Sequence, residues 1–149
     1  MLNLFARSND KPWYVAGLAF TCCRCGRCCA GPEEGYVWVT PGEIVTLAKA
    51  LGETPENFRG KYTRKVGSRI SLRENDKRDC VFLSRDEKGL SLCRLYECRP
   101  MQCRTWPFWP GNLVTAESWG FAQQRCPGVN QGQLFSLEEI EARRDTVSP

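Results

Sequence analysis

The sequence contains no histidine, and this absence excludes several classes of chemistry. Histidine is the side chain that ordinarily exchanges a proton near neutral pH. Catalysis by Ser-His-Asp or Cys-His arrangements is therefore excluded, and so are zinc sites with imidazole ligands. A transition-metal site in this chain would have to be built from thiolates, with at most a carboxylate in addition.

Long apolar runs are lacking as well. The stretch MLNLFARSNDKPWYVAGLAF contains Arg7, Asp10, Lys11 and Pro12 where a secretory signal would be apolar. No later stretch approaches the roughly 20 apolar residues that span a bilayer. We therefore expect a cytoplasmic protein with no membrane partner, in a compartment where thiols stay reduced.

The chain also has no block of like charge. Its formal net charge is +4, but acidic and basic residues are interleaved, so a nucleic-acid partner is not expected. Some arginines lie next to a cysteine or one residue away from it. This proximity fits counter-charge for an anionic metal cluster and equally fits a solvated basic surface. These arginines are Arg24, Arg27, Arg94, Arg99, Arg104 and Arg125.

The 149 residues contain no fixed repeat and no low-complexity linker, so we expect one domain over residues 1–149. TPGEIVTLAKAL (40–51) predicts a helix with a Thr40–Glu43 capping box, TPENFRGKY a second helix from about Pro55, and SLEEIEARRD a terminal helix. SRISLRE predicts a strand, CVFLSRDEKGLSLCRLY a hairpin of residues 80–84 and 90–94, and GNLVTAESWGFAQ a further strand. The expected fold class is α+β, with short helices around a small antiparallel sheet, organised by a cysteine–metal cluster.

Cysteine is what the chain has in abundance: it has ten, five of them in TCCRCGRCC. Cys22, Cys25 and Cys28 form C-x2-C-x2-C, with Gly26 allowing the backbone to bend. Three such closely spaced ligands are typical of iron–sulfur proteins, which often add a remote cysteine before proline, as at Cys126. Structural zinc sites more often use two separated C-x2-C pairs. Burial as a small apolar side chain is the alternative for each remote cysteine.

Aromatic residues cluster in the last third of the chain, at Trp106, Phe108, Trp109, Trp119 and Phe121. Such side chains could exclude water from a metal cluster and tune its potential. They are more often ordinary core residues, and the sequence favours that simpler interpretation.

Taken in order, FTCCRCGRCC, CVFL, CRLYECRPMQCRTWPF and CPG resemble the motifs of the YkgJ-type CxxCxxCC cysteine-cluster family over residues 20–132. That family is described as zinc- or iron-chelating, and its members are often labelled iron–sulfur proteins. Cys23 and Cys98 fall outside its pattern, and Trp106 stands where the pattern has phenylalanine. The metal ligands that the resemblance implies are Cys22, Cys25, Cys28, Cys29, Cys80, Cys93, Cys103 and Cys126.

The resemblance therefore implies a metal-chelating protein whose cofactor is iron, as an iron–sulfur cluster, or zinc. Eight thiolates fit two four-thiolate sites, or one cluster with the other cysteines in structural or redox roles. One alternative is a redox enzyme or electron carrier, in which Cys28, Cys29 or Cys23 reacts as a thiol whose pKa is lowered by nearby arginines. Another is an adaptor that binds a protein partner through a metal-stiffened surface. No catalytic residue is assigned.

Overall fold

The computed structural model describes residues 11–31 and 35–146, and its secondary structure confirms the α+β class. The helices are α1 (Pro41–Ala50), α2 (Pro55–Tyr62), α3 (Met101–Thr105), α4 (Pro110–Leu113), α5 (Ala116–Arg125) and α6 (Leu137–Thr146). The strands are β1 (Leu18–Phe20), β2 (Thr63–Val66), β3 (Arg69–Leu72), β4 (Leu83–Arg85), β5 (Ser91–Cys93) and β6 (Gln133–Phe135). Short 3-10 turns lie at Arg27–Cys29 and Tyr96–Cys98. None of the helices in the described ranges has the length and apolar character needed to cross a bilayer.

The strands are divided among antiparallel pairs and do not join into one sheet within the described residues. β1 pairs with β6, β2 with β3, and β4 with β5. The predicted hairpin is the β4–β5 pair, and the predicted strand SRISLRE is β3. The first pair joins segments from near the two ends of the described chain, so the ends close onto each other.

The helices α1, α2 and α6 confirm their predictions, because local capping bonds define where each begins. Thr40 N donates to Glu43 Oε1 (3.0 Å), and Glu43 N donates to Thr40 Oγ1 (3.1 Å). Ser136 and Glu139 make the same reciprocal pair at α6, with lengths of 2.8 and 3.2 Å. Each cap satisfies backbone N–H groups that the first turn leaves unpaired.

The strand predicted from GNLVTAESWGFAQ is wrong, since these residues form α4 and α5. Thr115 begins α5 by accepting a hydrogen bond from Ser118 N (3.1 Å). Trp119 and Ala122, three residues apart, face the core, whereas Phe121 is 60% exposed. The burial therefore follows the helical period, although the apolar residues also alternate along the sequence.

The buried apolar side chains form two clusters, which we name the terminal core and the central core. The terminal core consists of Tyr14, Leu18, Phe108, Leu113, Trp119, Cys126, Val129 and Ile140. The central core consists of Val39, Ile44, Leu47, Ala48, Phe58, Leu72, Phe82 and Leu95. Burying each large apolar side chain contributes about 1.5–3 kcal/mol to folding. The five-cysteine segment, residues 21–29, is attached to residues near both cores, and we call it the cysteine loop.

Candidate metal centre

A cavity of about 250 Å³ is lined by six of the ten cysteines. All ten cysteines lie within the described ranges, and each is a free thiol. Those lining the cavity come from the cysteine loop, the segment before β4, strand β5 and helix α3. They are Cys22, Cys28, Cys29, Cys80, Cys93 and Cys103, all from the predicted ligand set. The structure thus brings most of that set to one place.

The other two predicted ligands do not line this cavity. Cys25 is half-buried in the cysteine loop, and Cys126 is buried in the terminal core at the end of α5. The two cysteines outside the family pattern differ from each other. Cys98 packs half-buried against the central core, as a small apolar side chain would, whereas Cys23 is exposed beside Cys25.

Three backbone hydrogen bonds attach the cysteine loop to the rest of the protein. They run from Thr21 N to Gly128 O (3.1 Å), from Ser91 N to Arg24 O (3.0 Å) and from Cys80 N to Cys29 O (2.6 Å). The partner outside the loop is in each case a remote cysteine or a residue two positions from one. Gly128 follows Cys126, Ser91 precedes Cys93, and the third partner is Cys80 itself. The loop has no buried side chain, so these backbone bonds, more than apolar packing, determine its position.

Two glycines allow these close approaches. Gly26 has a φ of +76°, and a Cβ there would overlap the Ser91 hydroxyl, which donates to Cys25 O (3.2 Å). A Cβ at Gly128 would overlap the backbone oxygen of Thr21. The loop can therefore lie against β5 and against the segment after Cys126 only because neither position carries a side chain.

Helix α3, which carries Cys103, is held by the side chains of Gln102 and Glu43, neither of which belongs to the predicted ligand set. The amide of Gln102 accepts from Trp38 N (2.9 Å) and donates to Tyr36 O (2.8 Å). Glu43 Oε2 accepts from the N–H of Met101 (2.7 Å) while Oε1 caps α1. The capping box in the sequence identifies Glu43 as a cap of α1. It does not reveal that the second carboxylate oxygen of Glu43 binds Met101 N, at the start of α3.

The thiols at the cavity influence one another electrostatically. Burial raises the pKa of Cys80 from 9.0 to about 11, and burial is also the first cause of the raised pKa of Cys93 and Cys103. The hydrogen bond with Cys29, whose sulfur lies 3.9 Å away, is the first cause of the raised pKa of Cys28. Repulsion from neighbouring thiolates adds to each rise. These thiols therefore stay protonated at neutral pH, and a metal must displace their protons.

The redox alternative predicted that nearby arginines lower the thiol pKa. For Cys28 and Cys23 this prediction is wrong, because the pKa of each is raised. Burial, followed by the hydrogen bond with Cys25 and the proximity of Cys126, raises the pKa of Cys23. Cys23 therefore lies beside Cys25, and neither residue lines the cavity.

Arginines and aromatic residues complete the cavity wall. Of the six arginines near cysteines in sequence, Arg24, Arg99 and Arg125 line the cavity. Their charge favours the thiolate form, and Arg99 opposes the pKa rise at Cys93. Of the aromatic cluster, Trp106 and Trp109 form part of the cavity wall, whereas Phe108 and Trp119 are core residues.

The donor set fits zinc or iron, because soft thiolates are the ligands that zinc and iron–sulfur clusters prefer. In the described ranges, however, no three Cys, Asp or Glu side chains are close enough together to hold an ion as placed. Metal binding would have to draw the thiols inward, toward the space that they surround.

Comparison with known proteins agrees with this donor set. A sequence profile of the family described as "CxxCxxCC: Putative zinc- or iron-chelating domain" matches residues 21–127, which include every cysteine. The chain belongs to the CxxCxxCC family. This membership confirms the resemblance and assigns metal chelation to the domain, without distinguishing zinc from iron.

Relatives of this CxxCxxCC chain add little about its role. "Uncharacterized protein MJ0661" of Methanocaldococcus jannaschii is 28% identical over 95 residues, covering 64% of this chain and 48% of the relative. The chain therefore spans about half the length of that curated relative. No solved structure shows significant similarity to the chain described here.

Proposed function

We propose that the protein holds an iron–sulfur cluster on cysteine thiolates in the cavity. The observation that carries this proposal is the cavity itself, about 250 Å³ in volume and lined by six family cysteines. A single tetrahedral zinc, with Zn–S bonds of about 2.3 Å, would bring its sulfurs to about 3.8 Å from one another and leave little space between them. The observed cavity of about 250 Å³ has room for a group of several atoms.

The proposed cluster ligands are cavity-lining thiols, one from each of the four segments that meet there, namely Cys28, Cys80, Cys93 and Cys103. They lie on the cysteine loop, before β4, at the end of β5 and on α3. A shared cluster would therefore connect four segments, and its binding energy would add to folding. Cys22, Cys25, Cys29 and Cys126 remain predicted ligands, either of this centre or of a second one.

An iron–sulfur centre would supply one-electron redox chemistry, which makes electron transfer the role proposed for the whole protein. The wall of arginines favours a negatively charged centre, and the tryptophans restrict access of water. Ten free thiols also fit a reducing compartment, so we propose a cytoplasmic location.

One distance favours zinc as a second candidate. The sulfurs of Cys28 and Cys29 are 3.9 Å apart, close to the about 3.8 Å expected for two thiolates on one tetrahedral zinc. Zinc would make the site structural, because it has no redox chemistry of its own.

Purification without oxygen, followed by a visible spectrum and counts of iron, sulfide and zinc per chain, separates the two candidates. We expect brown protein with equal iron and sulfide. Colourless protein with stoichiometric zinc would replace the cluster proposal with the structural one. Folded protein without either metal would contradict both.

A matched pair of variants then tests the ligand set. Cys103→Ser removes a proposed ligand, whereas Cys98→Ser changes a half-buried cysteine that packs on the central core. We expect Cys103→Ser to lower metal affinity by more than the roughly 10- to 100-fold that loss of a supporting contact costs, and Cys98→Ser to keep its metal. Circular dichroism confirms that each variant is folded. Equal metal content in folded Cys103→Ser and Cys98→Ser would remove Cys103 from the site.

A further inference from the structure

One buried hydrogen-bond donor at the cavity lacks an acceptor. Trp106 lines the cavity three residues after Cys103, and its indole Nε1 is buried without a hydrogen-bond partner in the described part of the chain. Leaving a buried N–H unpaired costs about 1–3 kcal/mol, so native proteins rarely do so without a reason.

Three other indoles in the described residues donate to an acceptor within the protein. Trp109 Nε1 donates to Gln102 O at 2.9 Å, Trp119 Nε1 donates to Asn130 Oδ1 at 2.9 Å, and Trp13 Nε1 donates to Leu113 O at 2.9 Å. Trp109 is the most informative of these, because it lines the same cavity and contacts Trp106 edge-on, with ring centroids 4.8 Å apart. The N–H groups of these two neighbouring indoles at one wall thus differ, since that of Trp109 is bonded and that of Trp106 is not.

The surroundings of Trp106 hold it in place. Thr105 and Pro107 on either side are buried, and Phe108 belongs to the terminal core. The ring itself packs against that core. The indole therefore has little freedom to rotate toward solvent for a partner.

We infer that the Trp106 Nε1–H is a hydrogen-bond donor to sulfur of the metal centre, either a ligand thiolate or a cluster sulfide. This inference rests on the proposed function, since it needs a metal centre in the cavity. Sulfur bound to a metal keeps negative charge and accepts hydrogen bonds from N–H groups, and such bonds help to set reduction potentials. Trp106 would be a positioning and tuning residue, and it is not a ligand.

The effect on potential has a definite sign. Reduction adds negative charge to the centre, so the N–H stabilises the reduced state more than the oxidised state. Trp106→Phe, which keeps an aromatic ring and removes the donor, should therefore make the reduction potential more negative.

The test compares Trp106→Phe and Trp109→Phe with the unmodified protein, all purified without oxygen. Metal and sulfide per chain are counted first, and the reduction potential is then measured by spectroscopic titration. Trp109→Phe is the matched control, because it removes an indole from the same wall whose N–H is already bonded. We expect all three to carry the same metal, with a lower potential only in Trp106→Phe.

A second measurement covers a zinc-bound centre or a variant that loses metal. In the unmodified protein reconstituted with zinc, proton–nitrogen NMR should show the Trp106 indole proton moving downfield and exchanging more slowly than in metal-free protein, while that of Trp109 stays unchanged. An unchanged Trp106 signal, or equal potentials in fully loaded variants, would overturn this inference and leave the metal centre standing. Absence of metal from the unmodified protein would instead overturn the proposed function.

Discussion

The two cores differ in how they hold their cysteines. The terminal core encloses Cys126, which is 6% exposed, among aromatic and aliphatic side chains. The central core contacts Cys80, Cys93 and Cys98 only at its border, where they remain half-buried. A thiol at a border can turn toward a cavity, whereas an enclosed thiol is fixed by its neighbours. Cys80 and Cys93 can therefore shift toward the cavity that they line, whereas Cys126 is fixed within the terminal core.

The cysteine loop is what joins these two environments. It bonds to Gly128 beside the terminal core and to Ser91 and Cys80 beside the central core, without a buried side chain of its own. The cores therefore form from apolar burial, whereas the loop depends on backbone contacts at their edges. The following changes test this contrast between apolar cores and a loop held at its edges.

The largest effect is expected from a cavity in the central core. Phe58 is fully buried and stacks on Phe82 with ring centroids 5.9 Å apart. Phe58→Ala should lower the free energy of unfolding by about 3–5 kcal/mol, measured by urea denaturation of the metal-free protein. Val45→Ala on the exposed side of α1 is the control, with an expected change within about 0.5 kcal/mol. Similar losses in both variants would mean that the central core is not the main source of stability.

A smaller loss of stability, accompanied by loss of metal, is expected at the edge of the terminal core. Gly128→Ala places a Cβ against the Thr21 carbonyl, so the loop must separate from the segment after Cys126. We expect a loss of about 2–3 kcal/mol by thermal unfolding and fewer metal ions per chain. Gly120→Ala is the matched control, because its Cβ meets open space within α5 and should stabilise the helix by about 0.5–1 kcal/mol. If Gly128→Ala kept both its stability and its metal, the loop would not depend on this contact.

The smallest of these effects is a pH dependence at the border of the central core. Unfolded Cys80 ionises near 9.0, whereas the folded thiol holds its proton to about pH 11. Between these values the folded state binds more protons, so the stability of the metal-free protein should fall as pH rises from about 9 to 11. The loss is on the order of 2 kcal/mol at most, at about 1.4 kcal/mol per pKa unit. Denaturation at several pH values should show a shallower slope for Cys80→Ser, and an equal slope would assign the effect to other groups.

Local patterns predicted three of the six helices (α1, α2 and α6) and three of the six strands (β3, β4 and β5) in the described residues, because the signals of these elements are contained within a few residues. Thr40–Glu43 and Ser136–Glu139 are examples, since each pair forms both of its predicted hydrogen bonds. The prediction failed at GNLVTAESWGFAQ, where a strand was expected and the burial of Trp119 and Ala122 follows a helix. There the decision came from packing against the terminal core, which a local window does not contain.

The sequence by itself determined that any metal site here is made of thiolates, since it has ten cysteines and no histidine. It also determined the family, through the ordered spacing of those cysteines. Only the tertiary structure decided how the five thiols of TCCRCGRCC divide, with Cys22, Cys28 and Cys29 lining the cavity and Cys23 and Cys25 lying outside it. The same holds for the unpaired indole of Trp106. The physical reason is that the partners in each case are brought together by contacts between distant segments, whose geometry no local spacing records.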